Sequence, residues 1–61
     1  MKRSRLIRHL LKHDCELLRE GARHSIWIKP AMGKATAVPR HNEIRDLMAR
    51  KICKDLDIEK L

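Results

Sequence analysis

The sequence predicts an α+β fold in the order α-β-β-β-α, a three-stranded antiparallel sheet with two helices on one face. Three observations predict it. Apolar residues recur at three- and four-residue spacing near both ends of the chain, from Leu6 to Leu11 and from Ile44 to Leu56, which is the period of an amphipathic helix. Between them "HSIWIK" alternates and "ATAVP" is a short strand-like run. Gly21, Pro30, Gly33 and Pro39 punctuate those runs as turns. The 61 residues make one domain, spanning 1–61, near the lower size at which a core holds without staples. A meander with both helices layered on one side is the simplest way to give it one core.

Ser4 reads as the N-cap of a first helix that runs to Lys12, with Leu6, Ile7, Leu10 and Leu11 on one face and Arg5, Arg8, His9 and Lys12 on the other. "CELLR", Cys15 to Arg19, reads as a short first strand ending at the Glu20-Gly21 turn. In the second strand His24, Ile26 and Ile28 point one way and Ser25, Trp27 and Lys29 the other. Pro30 to Lys34 reads as the loop before a third strand stopped by Pro39. Asn42 reads as the N-cap of a second helix to Leu56, with a core stripe of Ile44, Leu47, Met48, Ile52 and Leu56. Asp57 is expected in the left-handed position that ends it.

The core has to be aliphatic, because Trp27 is the sole aromatic residue. Cys15 and Cys53 lack CxxC spacing and are expected as free core thiols in a reducing compartment. The basic start is broken too early by Arg8 and His9 to read as a secretory signal, and no segment approaches membrane-spanning length. The expected location is the cytoplasm.

Net charge is +7, and its distribution says more than its size. Residues 1–24 carry seven Lys/Arg against three acids, residues 25–42 carry three against none, and the remainder is balanced at five and five. Such a field selects polyanions, with nucleic acid first, an acidic protein second and anionic membrane third.

The hairpin spacing turns that field into a candidate site. A loop over Pro30 to Lys34 puts His24 opposite Arg40, beside His41, and the first turn brings Arg19 close. Arg19, Arg23, His24, Arg40 and His41 then gather at one sheet end. Imidazole exchanges protons near neutrality, and guanidinium groups hold phosphate and stabilise charge developing in its transfer. No carboxylate lies between Ser25 and Asn42, whereas metal-dependent nucleases gather acidic ligands. The easier nucleophile is one the substrate brings, the 2′-hydroxyl of RNA. Metal-independent RNA cleavage with a 2′,3′-cyclic phosphate product follows, with His24 as acid or base and His41 as the candidate for the other half. Lys29 and Lys34 join Arg19, Arg23 and Arg40 as candidate RNA contacts, and Trp27 is a candidate for base stacking. His9 and His13 are four apart but lack a third ligand, so they read as solvated and no metal or other cofactor is expected.

"LLKHDCELLREGARHSIWIKP" followed by "TAVPRHNEIRDLMARKICKDLDI" resembles the HicA toxin family, small messenger-RNA interferases of bacterial toxin–antitoxin pairs. The resemblance runs from about Leu6 to Ile58. Its most specific parts are Gly21-x-Arg23-His24, Val38-Pro39-Arg40-His41 and the helix that follows. It implies a fold similar to double-stranded-RNA-binding domains, His24 as the catalytic residue, a messenger-RNA substrate, a HicB-type antitoxin partner, and no DNA binding by this chain. It assigns no catalytic role to His41, which rests on the register argument alone. The chain departs from the family where many members have Gly followed by an aromatic residue and it has Asp14-Cys15, and where many have Gly in the terminal Leu-x-Ile and it has Asp57. Both positions are conformational.

Two other functions fit the same residues. One is a catalytically silent RNA-binding module in which His24 only touches phosphate. The other is a protein-interaction element whose basic face serves an acidic partner.

Overall fold

The computed structural model describes residues 1–61 and has the expected α+β order. Helix α1 spans Arg3–Lys12, strands β1, β2 and β3 span Glu16–Glu20, His24–Lys29 and Lys34–Pro39, and helix α2 spans Asp46–Asp55. The strands form one antiparallel sheet in the order β1-β2-β3.

Ser25, Trp27 and Val38 turn inward from the sheet, and Trp27 and Val38 meet Leu6 and Leu10 of α1 and Ala49, Ile52 and Cys53 of α2 in one cluster. Both helices therefore cover the Ser25–Trp27 face. Leu6, Leu10, Val38, Ile52 and Leu56 are fully buried, each contributing up to about 1.5–3 kcal/mol relative to exposure. Cys15 and Cys53 are free and buried within this cluster. Burial pushes both thiols up from their ordinary range, which suits packing and not nucleophilic work. No helix is long and apolar enough to cross a membrane.

Both helix starts differ from the reading of the sequence. Ser4 lies inside α1. The N-cap is Lys2, with no side-chain cap, and the first helical amide, Arg3 N–H, donates to the Asn42 carbonyl at 2.8 Å. Backbone pairing between Lys2 and Glu43 thus replaces the serine cap. Asn42 and Glu43 are occupied by that pairing, so α2 begins only after Arg45. Ile44 precedes the helix, and counting the apolar stripe from it rotates the stripe away from the core. Leu47 is 78% exposed and Met48 39%, while Ala49 and Cys53 take the buried positions beside Ile52. Leu11, assigned to the buried face of α1, is exposed as well.

The helix ends follow one scheme. After α1, Asp14 N–H donates to Leu11 O and Cys15 N–H to Leu10 O, with Asp14 at φ 63°. After α2, Asp57 N–H donates to Lys54 O and Ile58 N–H to Cys53 O, with Asp57 at φ 56°. Each is a Schellman closure, whose left-handed residue is usually glycine. Asp14 and Asp57, where the resemblance leads one to expect Gly, are the two non-glycine residues in left-handed backbone.

The hairpin register differs by one residue. A short 3-10 turn occupies Pro30–Met32, and Gly33 closes it in left-handed backbone at φ 62°. Lys29 then pairs with Lys34, and His24 falls opposite Pro39 in place of Arg40. The β1–β2 ladder has a bulge between Leu17 and Arg19, so Arg19 faces Ile26.

Candidate active site

His24 opens β2, exposed, and alternates with the buried Ser25 and Trp27. The turn before it is fixed by close approach. Gly21 N–H donates to the His24 carbonyl at 2.8 Å, and a Cβ at Gly21 would stand 2.7 Å from that same oxygen. No larger residue fits without moving the His24 backbone, which gives the glycine of "GARH" a physical reason.

Arg40 holds the same turn from the end of β3. Its backbone N–H donates to Arg23 O at 3.2 Å, its Nη1 donates to Gly21 O at 2.9 Å, and its Nη2 lies 3.9 Å from Glu20 Oε2. The guanidinium assigned to phosphate thus braces the loop that carries His24. The one-residue register change does not scatter the cluster, because Arg40 and His41 continue past Pro39 along the same edge.

His24 and His41 share two adjoining grooves. One, of about 440 Å³, is lined by both histidines with Pro39, Glu43, Arg45 and Met48. The other, of about 460 Å³, is lined by both with Ala22, Arg23 and Arg40. Each groove therefore joins an imidazole pair to a cation, Arg45 in the first and Arg23 in the second. Neither of these guanidinium groups has a hydrogen bond or ion-pair partner, unlike that of Arg40. Glu43 is the one carboxylate on the first groove, and its oxygen lies 3.5 Å from the amino group of Met1.

The other candidate residues are placed differently. Arg19 pairs across from Ile26, two residues along β2 from His24. Lys29 and Lys34 pair at the opposite end of the sheet, five residue steps along β2, or about 16 Å at ~3.3 Å per residue. The Lys29 ammonium there donates to the His13 carbonyl at 2.8 Å. Trp27 is 5% exposed within the core, so its ring packs beneath the helices and offers no face to a base. Its indole N–H has no hydrogen-bond partner.

The His9 and His13 rings meet at a tilt of 59° with centroids 4.5 Å apart, and His9 Nε2 lies 2.6 Å from the Glu59 carbonyl. No group of three or more His, Cys, Asp or Glu side chains is placed to hold a metal ion.

Arg45, Met48 and Glu43 escape a reading of the sequence because an N-cap at Asn42 puts all three inside a helix. The signal is present in Asp46, an acid suited to a first helical turn, with Arg45 immediately before it.

Comparison with known families gives one match. A family model described as HicA toxin of bacterial toxin–antitoxin covers residues 3–58 of the 61-residue chain. No curated protein and no solved structure matches.

Proposed function

The chain belongs to the HicA family of bacterial toxin–antitoxin toxins, and from that premise we propose that it is a metal-independent endoribonuclease that uses His24. Toxins of this family are generally endoribonucleases, and membership implies a cognate antitoxin. The observation that carries the finer reading is the pair of grooves in which His24 and His41 stand together with the unpaired Arg23 and Arg45.

The substrate supplies the nucleophile. One imidazole takes the proton of a ribose 2′-hydroxyl as its oxygen attacks the adjacent phosphorus. The other, protonated, gives its proton to the departing 5′-oxygen. The P–O5′ bond breaks as the P–O2′ bond forms, leaving a 2′,3′-cyclic phosphate and a 5′-hydroxyl. Arg23 and Arg45 meet the non-bridging oxygens, where negative charge builds in the transition state. Met48, half-exposed on the groove wall, gives a base an apolar surface. Arg19 extends the positive approach from β1, and Lys29 and Lys34 act at longer range. A HicB-type antitoxin inhibits by covering these grooves.

Substrate chemistry tests this reading. Ribose RNA, the same sequence fully 2′-O-methylated, and the same sequence as DNA are incubated with the protein, and the fragment ends are identified. Cleavage of the ribose strand alone, with 2′,3′-cyclic phosphate ends, is the expected result. Fragments ending in 3′-hydroxyl, or cleavage of the methylated strand, would mean that water and not the 2′-oxygen attacks. Salt-sensitive binding of all three with no cleavage would favour the silent RNA-binding module.

A further inference from the structure

Behind His24 a chain of polar side chains runs from the helix layer to Arg40 at the groove wall. Ser25 is completely buried, the only polar residue in the buried set. Its hydroxyl donates to Glu20 Oε1 and accepts from Arg3 Nη2 at 3.0 Å. The same guanidinium donates through Nε to the Pro39 carbonyl at 2.8 Å. Glu20 continues to Arg40, which holds Gly21. Pro39 is the cross-strand partner of His24, and Ser25 is its neighbour in the chain.

We propose that Arg3 is a positioning residue for His24, clamping β2 and β3 at the point where the imidazole leaves the sheet, with Ser25 and Glu20 relaying the clamp to Arg40 and the Gly21 turn. The proposal rests on His24 being the reacting imidazole. Arg3 belongs to α1, so it fixes this corner of the sheet to the helix layer, which the two terminal residues of adjacent strands cannot do by themselves. The planar guanidinium fork is suited to such a clamp, since it reaches a carbonyl on β3 and a hydroxyl on β2 together. An ammonium is a point donor without that fixed geometry. Reaction geometry is sensitive to displacements of about 1 Å, which cost up to ~100-fold in rate.

The test is Arg3→Lys, with Ser25→Ala as a second variant and Arg8→Lys as the control on the exposed face of α1. Three quantities are read: kcat and KM for RNA cleavage, affinity for fully 2′-O-methylated RNA, and amide hydrogen exchange. In Arg3→Lys, kcat is expected to fall roughly 10- to 100-fold with KM and affinity little changed. Exchange should accelerate at Gly21 and Arg40, whose amides bond across this corner, but not at Gly33, which bonds to Pro30 at the far end. Ser25→Ala should repeat the pattern, and Arg8→Lys should match the parent. Wild-type kcat and unchanged exchange at Gly21 and Arg40 in Arg3→Lys would overturn the clamp. Acceleration at all three amides together, with cleavage and affinity lost alike, would also overturn it, since that marks general loss of fold. Failure of the parent to cleave RNA would remove the catalytic reading, and with it the positioning role, even where exchange still shows a corner held by Arg3.

Discussion

Both ends of the sheet carry basic residues, and they are built differently. At the Lys29–Lys34 end, a 3-10 turn and Gly33 close the hairpin, and single hydrogen bonds tie Lys29 to the end of α1 and Thr36 to Asp55 of α2. At the His24 end, α1, the β1–β2 turn, β3 and the segment before α2 converge, and side chains from α1 and the strands are bonded together. Basic residues alone mark neither end as a site. What distinguishes the His24 end is that some of its cations are fixed in the scaffold, as Arg3 and Arg40 are, leaving Arg23 and Arg45 unpaired beside two imidazoles. Fixed groups set geometry, and free ones meet the substrate.

Gly21→Ala should have the largest effect. The added methyl meets the His24 carbonyl at 2.7 Å, so cleavage should drop by about 100-fold or more, with some loss of stability. A steady-state assay paired with thermal unfolding checks it, and normal activity would mean that the His24 turn tolerates displacement.

Arginine and lysine truncations should then separate the two ends. Arg45→Ala should lower kcat/KM by roughly 10- to 100-fold, the loss of one charge-assisted phosphate contact. Lys29→Ala and Lys34→Ala should each cost about threefold or less and mainly weaken the salt dependence of binding. Equal effects at both ends would dissolve the distinction.

A stability pair comes next. Asp14→Gly and Asp57→Gly should each stabilise the fold by about 1 kcal/mol, since both residues hold a left-handed backbone that glycine adopts without strain. Denaturant unfolding reads the gain, and RNA cleavage should not change, because both sites lie outside the grooves.

The smallest effect expected concerns Asp55. Hydrogen bonds from Lys51 and Thr36 hold its carboxyl below the ordinary value of 3.8. A carboxyl depressed on folding stabilises above its unfolded pKa and loses that contribution as pH falls through the folded one. Stability of the parent should therefore weaken below about pH 4 more steeply than that of Asp55→Asn. At neutral pH the two should differ by under about 1 kcal/mol, because the pair is partly exposed.

Much of the fold is legible in the sequence because period and punctuation are local. The bounds of β2 follow from "HSIWIK" between a glycine turn and a proline, and the left-handed backbone of Asp57 follows from its place after the stripe. The start of α2 is not legible, because Asn42 and Glu43 pair with the amino-terminal segment about forty residues away, and that competes with capping. Trp27 shows the limit of alternation: it gives two faces but does not say which one the helices cover. At the site, a register off by one still brings His24 and His41 together, since both flank the same strand ends. Arg40 reads as a phosphate ligand from its position, whereas its bonds to Gly21 and Glu20 depend on side-chain reach. Arg45 and Arg3 are hidden for the same reason, their roles being set by elements distant in sequence.

One experiment decides whether His24 cleaves RNA without a metal. The parent and His24→Ala, both freed of antitoxin and shown to be folded, are incubated with a defined RNA in EDTA, and the fragment ends are read chemically. The parent should give 2′,3′-cyclic phosphate ends and the variant intact RNA. Intact RNA from the folded parent, or equal cleavage by both, would contradict that role for His24.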